Sequence, residues 1–580
     1  MKKLAAICEQ VAARTKKLEK TAIVASYLNA TPIEEAAAAV IFLSGRPFAM
    51  WEEATLQVGG SLIWRVVEDL SGKTQAELTA AYKCHGDLGS VAAEVLPASE
   101  KHGDLSVREV EKRFRQMASA RGVAAKTGLL RDLLSQAAPL EAKYIIKVMT
   151  TDLRIGLKES LVEEAIAKAY AAPAREVQRA NMLLGDIGET LRFAAQGKLG
   201  EARMRLFHPL GFMLASPAES AEEALSYFEN SFVEDKYDGI RAQAHCSGDT
   251  VKIFSRTRDE ITESFPDLAD ALRGFSQDVI FDGEIVAWGY LADEPTGTAS
   301  KEMGSALPFS ALQQRLGRKK VSDDLIRRVP VAYLAFDILY AKGELLLDRP
   351  LKERRQILET ALAAPRIPGI AAMSRAEQSV LGFHDAEASS SAGNSTRIIR
   401  APVFQAASPA DLDALFDATQ ARGNEGLMIK DPESPYAPGR RGKWWLKLKR
   451  ELATLDVVVT AVEYGHGRRI SVLSDYTFAV RDGDRLVNIG KAYSGLTDVE
   501  IAEMTQWFLD RTVEDQGLRL VVEPKIVVEV AFNNMMKSER HNSGYALRFP
   551  RIVRLRPDKL PEEADTIERV REIFEKQRSA

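Results

Sequence analysis

The hydrophobic period of the chain changes near residue 205, and a single core cannot follow from such a change. Before that point apolar residues recur at helical spacing, as in VREVEKRFRQMASA (107–120) and LEAKYIIKVMT (140–150). After it, SFVEDKYDGIRAQAHCSGDTVKIFSR (231–256), DVIFDGEIVAW (278–288) and VAYLAFDILY (331–340) alternate as strands do, with short helical stretches such as FPDLADALRGF between them. From about 455, short strands and Gly-rich turns return in LDVVVTAVEYGHG, DYTFAVRDGD and KIVVEVAF, with one helix at TDVEIAEMTQWFLD. A chain of 580 residues is also too long for one ordinary domain. The expectation is a multidomain protein: an all-α region over 1–205, an α+β region over 206–450 and a small β-barrel over 451–580. A Ser-rich run, AEASSSAGNST (386–396), reads as an insertion loop. In TPIEEAAAAVIFLSG (31–45), Thr31 can cap a helix, Pro32 suits its first position, Glu34 completes a capping box and Gly45 can end it.

The formal net charge is −4, so any nucleic-acid surface has to be a local basic patch. The three cysteines, Cys8, Cys84 and Cys246, are scattered and form no CxxC pair, which argues against a structural zinc module or a disulfide framework and suits a reducing cytoplasm. The opening MKKLAAICEQ starts like a signal peptide, but Glu9 and Gln10 break its apolar run, and no stretch is long enough to span a bilayer.

Lys236 poses the chemical question. It sits among acids in what reads as a half-buried strand, where an amine is costly unless it guards a sheet edge or is presented to a substrate. Four further segments place charge or a lone aromatic beside apolar strands: FDGEIVAW with Glu284, AFDILY with Phe336, NEGLMIK with Glu425, and RGKWWLKLK with Arg441, Lys447 and Lys449. Each has a blander reading alone. KxDG is short enough to arise by chance, DGE reads as a turn, Phe336 as core, and WWLKLK as an edge strand guarded by lysines. Pooled, they offer an amine nucleophile, two carboxylates, an aromatic face and several cations. That inventory suits a nucleoside triphosphate and a hard divalent ion.

Taken in order with FSR (254–256) and RLRPDK (554–559), these segments resemble the covalent nucleotidyltransferases, and within them the ATP-dependent DNA ligases of the archaeal and eukaryotic replicative type. HGDLGSVA (85–92) and DLRIGL (152–157) resemble that family's helical DNA-binding domain, so the likeness covers nearly the whole chain. It implies a helical DNA-binding domain over 1–205, an adenylation domain over 206–450 and an oligonucleotide-binding (OB) barrel over 451–580, with a hinge near 449–455. It implies that Lys236 carries AMP from ATP to the 5′-phosphate of a DNA nick, after which the 3′-hydroxyl displaces AMP. Glu234, Arg241, Arg256, Glu284, Phe336, Arg441 and Lys447 are then nucleotide contacts, with Glu234 reading adenine, Phe336 stacked on it and Lys449 assisting. Glu284 and Glu425 are metal carboxylates for Mg²⁺ or Mn²⁺, and Asp238 orders its loop. Arg556, Asp558 and Lys559 orient pyrophosphate, and Gly86, Gly89, Arg154 and Gly156 approach DNA. The partners implied are nicked duplex DNA and, optionally, a sliding clamp, for a monomeric cytoplasmic protein with no membrane. An RNA ligase or an mRNA-capping guanylyltransferase would share the core without explaining the N-terminal likeness. An NAD-dependent ligase of the kind that carries a four-cysteine zinc module is disfavoured by three scattered cysteines. A non-catalytic nick-binding protein would not need Lys236, Glu284 and Glu425 together.

Overall fold

The computed structural model describes all residues except 53, 98–104, 229, 290–303, 319, 365–396, 440, 450–452, 466–468, 470 and 580. The Ser-rich run at 386–396 and the centre of the expected hinge lie outside the described residues. The chain divides into two compact units, residues 1–203 with 451–578, and essentially residues 204–450. No described helix is long and apolar enough to cross a membrane.

Every described element between residues 2 and 201 is a helix, from Lys2–Ala12 to the helical turn Leu199–Glu201. Their apolar faces share one core that includes Phe42, Phe114, Tyr144 and Leu191. The helix Ile33–Leu43 is buried from Ala36 to its end, which its small Ala side chains permit. Its start differs from the expected capping box. Thr31 Oγ1 donates to Tyr27 O at 2.7 Å, closing the preceding helix, Lys17–Asn29. Pro32 is the N-cap, and Glu34 instead accepts from Arg192 at 3.0 and 2.8 Å. The end follows the expectation: Gly45 takes φ +82°, which closes the helix at no steric cost.

Residues 204–450 form two sheets. One contains β3 (Ile240–Gly248), β4 (Thr250–Ser255), β5 (Phe275–Gly289), β7 (Val331–Ala341) and β8 (Glu344–Leu345) in the order β4-β3-β5-β7-β8, with β6 (Ser305–Ala306) on β5 and β9 (Ile398–Arg400) on β7. The other has the order β1-β11-β10-β2, from β1 (Leu214–Ala218), β2 (Phe232–Lys236), β10 (Gly426–Lys430) and β11 (Arg441–Leu448). The WWLKLK strand is therefore interior to its sheet, not an edge.

The C-terminal residues are rich in strands. β12 (Ala453–Tyr464), β13 (Leu473–Asp482), β14 (Arg485–Ala492), β15 (Thr512–Asp515) and β16 (Arg519–Val522) run in the order β14-β13-β12-β16-β15. β17 (Val527–Phe532) joins β12 to β20 (Arg551–Leu555), and β18 (Asn534–Lys537) pairs with β19 (Tyr545–Arg548). Alternate residues Leu455, Val457 and Val459 of β12 enter a second core. The helix Asp498–Leu509, started by a Thr497–Glu500 capping box, packs on it through Ile501, Met504 and Phe508.

Candidate active site

The four-stranded sheet separates charge from apolar packing by strand parity. In register, Lys236 faces Gly426, Glu234 faces Met428, Met428 faces Lys447, and Lys430 faces Trp445. Residues directly opposite share a face, so Glu234, Lys236, Lys430, Trp445 and Lys447 fall on one side. The other side carries Val233, Leu427, Ile429, Leu446 and Leu448, packed with Leu412 and Phe416 of the helix Pro409–Ala421. Asp235 is the exception on that side. It is buried and accepts from Arg422 at 2.9 and 2.7 Å and from Asn424 Nδ2 at 3.0 Å.

The larger sheet brings Arg241 opposite Glu284 and Gln243 opposite Asp282. Between β5 and β7 the register runs Asp282–Asp337 and then Gly283–Ala335, which leaves Phe336 as the extra residue of a β-bulge. The bulge takes Phe336 out of the strand alternation. Its ring lies 4.2 Å from Lys430 Nζ and 5.4 Å from the Arg241 guanidinium, with Trp445 edge-on at 6.1 Å. Trp445 Nε1 is buried with no hydrogen-bond partner among the described residues, which suits a ligand acceptor.

Lys236 and Lys449 both donate to Glu425 Oε2, and Glu425 N donates to Lys236 O at 2.8 Å. Burial alone would raise the Glu425 pKa, but Lys236 and then Lys449 overcome it and hold it at about 2. Burial, and then Lys236, push the Lys449 ammonium below its ordinary value. Glu284 forms no ion pair among the described residues. Burial pushes its carboxyl up to about 8, although Lys236 and Arg241 pull the other way. Gly239 is explained by crowding: a Cβ there would lie 2.3 Å from Ile285 O and 2.9 Å from Glu284 Cγ. The KYDG loop thus needs glycine to lie against β5.

Several expected contacts are placed differently from a free ligand-binding group. Glu234 is buried and both its oxygens are taken, by Arg355 Nη1 at 2.5 Å and Lys430 Nζ at 2.6 Å. Arg241 donates to Asp282 through Nε at 3.2 Å and Nη2 at 2.8 Å, and through Nη1 to Met213 O at 2.6 Å. Arg256 is exposed in the turn after β4, and Asp238 lies in the bend between β2 and β3. Arg441 begins β11, and its side chain lies outside the described residues. Arg556 and Lys559 converge on Asp456 in the C-terminal region.

In the N-terminal helices, Gly86 ends the helix Gln75–His85 with φ +67°, and Arg154 Nη1 donates to its carbonyl at 3.0 Å. A Cβ at Gly89 would meet Lys143 O at 2.5 Å, and one at Gly156 would meet Lys20 Nζ at 2.5 Å. Each of the four thus has a structural reason within the chain. Sequence reasoning missed Lys430, Arg355, Asp282 and Asp456. A lysine inside the apolar strand GLMIK was the available signal for the first.

Among the described residues no cluster of three or more His, Cys, Asp or Glu could hold a metal. Glu284 and Glu425 are two carboxylates, which fit an ion such as Mg²⁺ whose remaining ligands are phosphate oxygens and water.

Three family profiles match the chain in succession: "DNA ligase N terminus" over residues 1–167, "ATP dependent DNA ligase domain" over 212–449 and "ATP dependent DNA ligase C terminal region" over 469–559. The chain is 58% identical to a probable DNA ligase of Koribacter versatilis, over 100% of this chain and 97% of that protein. It is 34% identical to a DNA ligase of Archaeoglobus fulgidus, over 99% of this chain and 98% of that protein. The solved structure of Pmar-Lig_PreS3 shares the fold, with a TM-score of 0.57 at 17% identity, over 95% of this chain and 99% of that one. With likeness running from the first residue to the last, the chain belongs to the ATP-dependent DNA ligase family.

Proposed function

We propose that the chain seals nicks in duplex DNA through an adenylyl group carried on Lys236. Family membership makes it an enzyme that joins DNA at the expense of ATP. The residue assignments rest on one observation: Lys236 and Glu425, 189 positions apart, are in contact, with Glu284 close enough to feel the charge of both.

The Lys236 amine, freed of its proton, attacks the α-phosphorus of ATP. A phosphorus–nitrogen bond forms, and the bond to the bridging oxygen of pyrophosphate breaks. At a pKa of about 2 Glu425 is a poor base, so it orients the amine rather than deprotonating it. Adenine lies on Phe336, and Lys430, held by Glu234, which Arg355 anchors in turn, sets the polarity of that wall. Lys447 and Lys449 offset phosphate charge. Glu284 and Glu425 would hold Mg²⁺ or Mn²⁺, which supplies charge neutralisation at the phosphates when bound. AMP then passes to the 5′-phosphate of the nick, where Arg256 is exposed to meet it. The 3′-hydroxyl displaces AMP and closes the phosphodiester.

Residues 1–205 act as an all-α region that holds the duplex by its phosphates, with Gly86, Gly89, Arg154 and Gly156 close to the backbone. Residues 451–580 act as an OB barrel whose Arg556 and Lys559 orient pyrophosphate, with Asp558 as the partner that Arg556 exchanges for it. Binding is then nearly blind to sequence and weakens steeply with salt. The test is sealing of a 5′-phosphorylated nicked duplex with ATP and Mg²⁺, beside an RNA-containing nick and beside GTP or NAD. Sealing of the DNA nick with ATP supports the reading. Covalent labelling by GTP alone, or sealing of RNA alone, overturns it.

A further inference from the structure

The C-terminal cations are held by two unequal carboxylates. Arg556 Nη1 donates to both oxygens of Asp456, at 2.8 and 2.9 Å, while its Nε and Nη2 donate to Asp558 at 2.9 and 2.8 Å. Lys559 Nζ donates to the same Asp456 at 2.6 Å. Asp456 is well anchored. It lies in β12 opposite Glu529, its N donates to Asp565 Oδ2 at 2.7 Å, and its carbonyl accepts from Asp565 N at 2.8 Å. The side chains of Asp456 and Arg556 are each 13% exposed, but that of Asp558 is 60% exposed. One partner is therefore fixed in a strand, and the other is a solvent-facing neighbour two residues along.

We infer that Asp456 is a positioning residue for lysine adenylylation: it holds Arg556 and Lys559 side by side as one clamp for the leaving pyrophosphate, and Asp558 is the partner that phosphate oxygens displace. The inference rests on reading Arg556 and Lys559 as pyrophosphate contacts. Two cations brought together repel and lose side-chain freedom; a shared carboxylate between them offsets both penalties before the nucleotide arrives. Asp558 occupies the Nε/Nη2 edge of the guanidinium, the geometry in which Arg takes two phosphate oxygens. When it leaves, two cations face one carboxylate, and the clamp carries net positive charge.

The test uses the full-length enzyme and separates two half-reactions. One is transfer of labelled AMP from ATP to the enzyme, with its reversal by pyrophosphate. The other is joining of a chemically pre-adenylylated nick by AMP-free enzyme. Asp456→Asn is expected to slow adenylylation about tenfold to a hundredfold, to raise the KM for pyrophosphate in the reverse reaction, and to leave joining of the pre-adenylylated nick nearly intact. Asp456→Glu recovers part of the loss. Should Asp456→Asn not fold, Asp456→Glu carries the same comparison, since its longer arm moves the carboxylate without removing it. Equal losses in both half-reactions, or unchanged or faster adenylylation, overturn the inference. Arg556→Ala separates it from its premise. If that variant adenylylates normally, the reading of Arg556 is at fault; if it is slow while Asp456→Asn is not, only the role of Asp456 falls.

Discussion

The Lys236 pocket and the Arg556 cluster handle charge in opposite ways. In the pocket, partners come from distant segments, most of them strands, with Arg355 on the helix Leu351–Ala363 and Glu425 just before β10: Glu234 between Arg355 and Lys430, Arg241 on Asp282, Lys236 on Glu425. In the C-terminal cluster, one of the two partners of Arg556 is an exposed neighbour two residues away. Burial makes the Glu234 and Arg241 pairs of the first set rigid, because a broken pair would strand a charge in a low dielectric. Exposure makes Asp558, though not Asp456, exchangeable in the second set. A covalent step needs fixed geometry around the nucleophile, whereas a group that must let pyrophosphate go benefits from a partner that returns.

That contrast can be broken most severely at Lys236. Lys236→Arg keeps the charge beside Glu425 but cannot lose a proton. It should abolish covalent labelling from ATP, by roughly a thousandfold or more in single-turnover rate. Glu425→Gln should come next. It removes the carboxylate shared by Lys236 and Lys449, and adenylylation should fall by roughly a hundredfold or more under the same assay. A loss of less than about threefold would mean the pocket is not preorganised by that carboxylate.

The rigid and exchangeable clusters should also differ in stability. Glu234→Gln leaves Lys430 and Arg355 without their shared counter-charge and should cost about 3–5 kcal/mol in chemical denaturation. Asp558→Asn should leave the denaturation midpoint where it was. Equal effects would erase the distinction. The last expected effect is a pH dependence. His245 is buried, its Nδ1 accepts from Phe207 N at 3.1 Å, and burial, then His208, push its pKa down to about 3. Unfolded, it titrates near 6.5. The unfolded chain therefore binds a proton that the folded chain refuses between those values. Stability is complete above pH 6.5 and declines as pH falls through the window, by at most about 1.4 kcal/mol per unit from this group. His245→Asn should flatten the fall in urea midpoint between pH 6.5 and 5 relative to wild type.

The sequence made much of the pocket readable because strand alternation encodes a face. In FVEDK, every second residue points away from the apolar core, so Lys236 and Glu234 fall on one face, whereas Glu425 precedes the strand GLMIK and was singled out by its segment alone. The partners were not readable. Arg355 is 121 positions from Glu234 and Lys430 is 196 away, and a buried ion pair looks in sequence like two surface charges. Phe336 was named from its segment, but its placement depends on a bulge that only pairing with β5 reveals. Thr31 looked like a cap, but its hydroxyl donates to Tyr27 O, an acceptor that the sequence does not show. Asp456 read as one acid in an apolar strand, and nothing local ties it to Arg556, 100 positions later.

The most direct test is to incubate the enzyme with ATP and Mg²⁺ in the absence of DNA, digest it, and locate the adenylyl group by mass spectrometry. The account predicts an acid-labile AMP adduct on the peptide bearing Lys236, removed by added pyrophosphate. An adduct on another residue, or nick sealing with no enzyme-bound AMP at all, would contradict it.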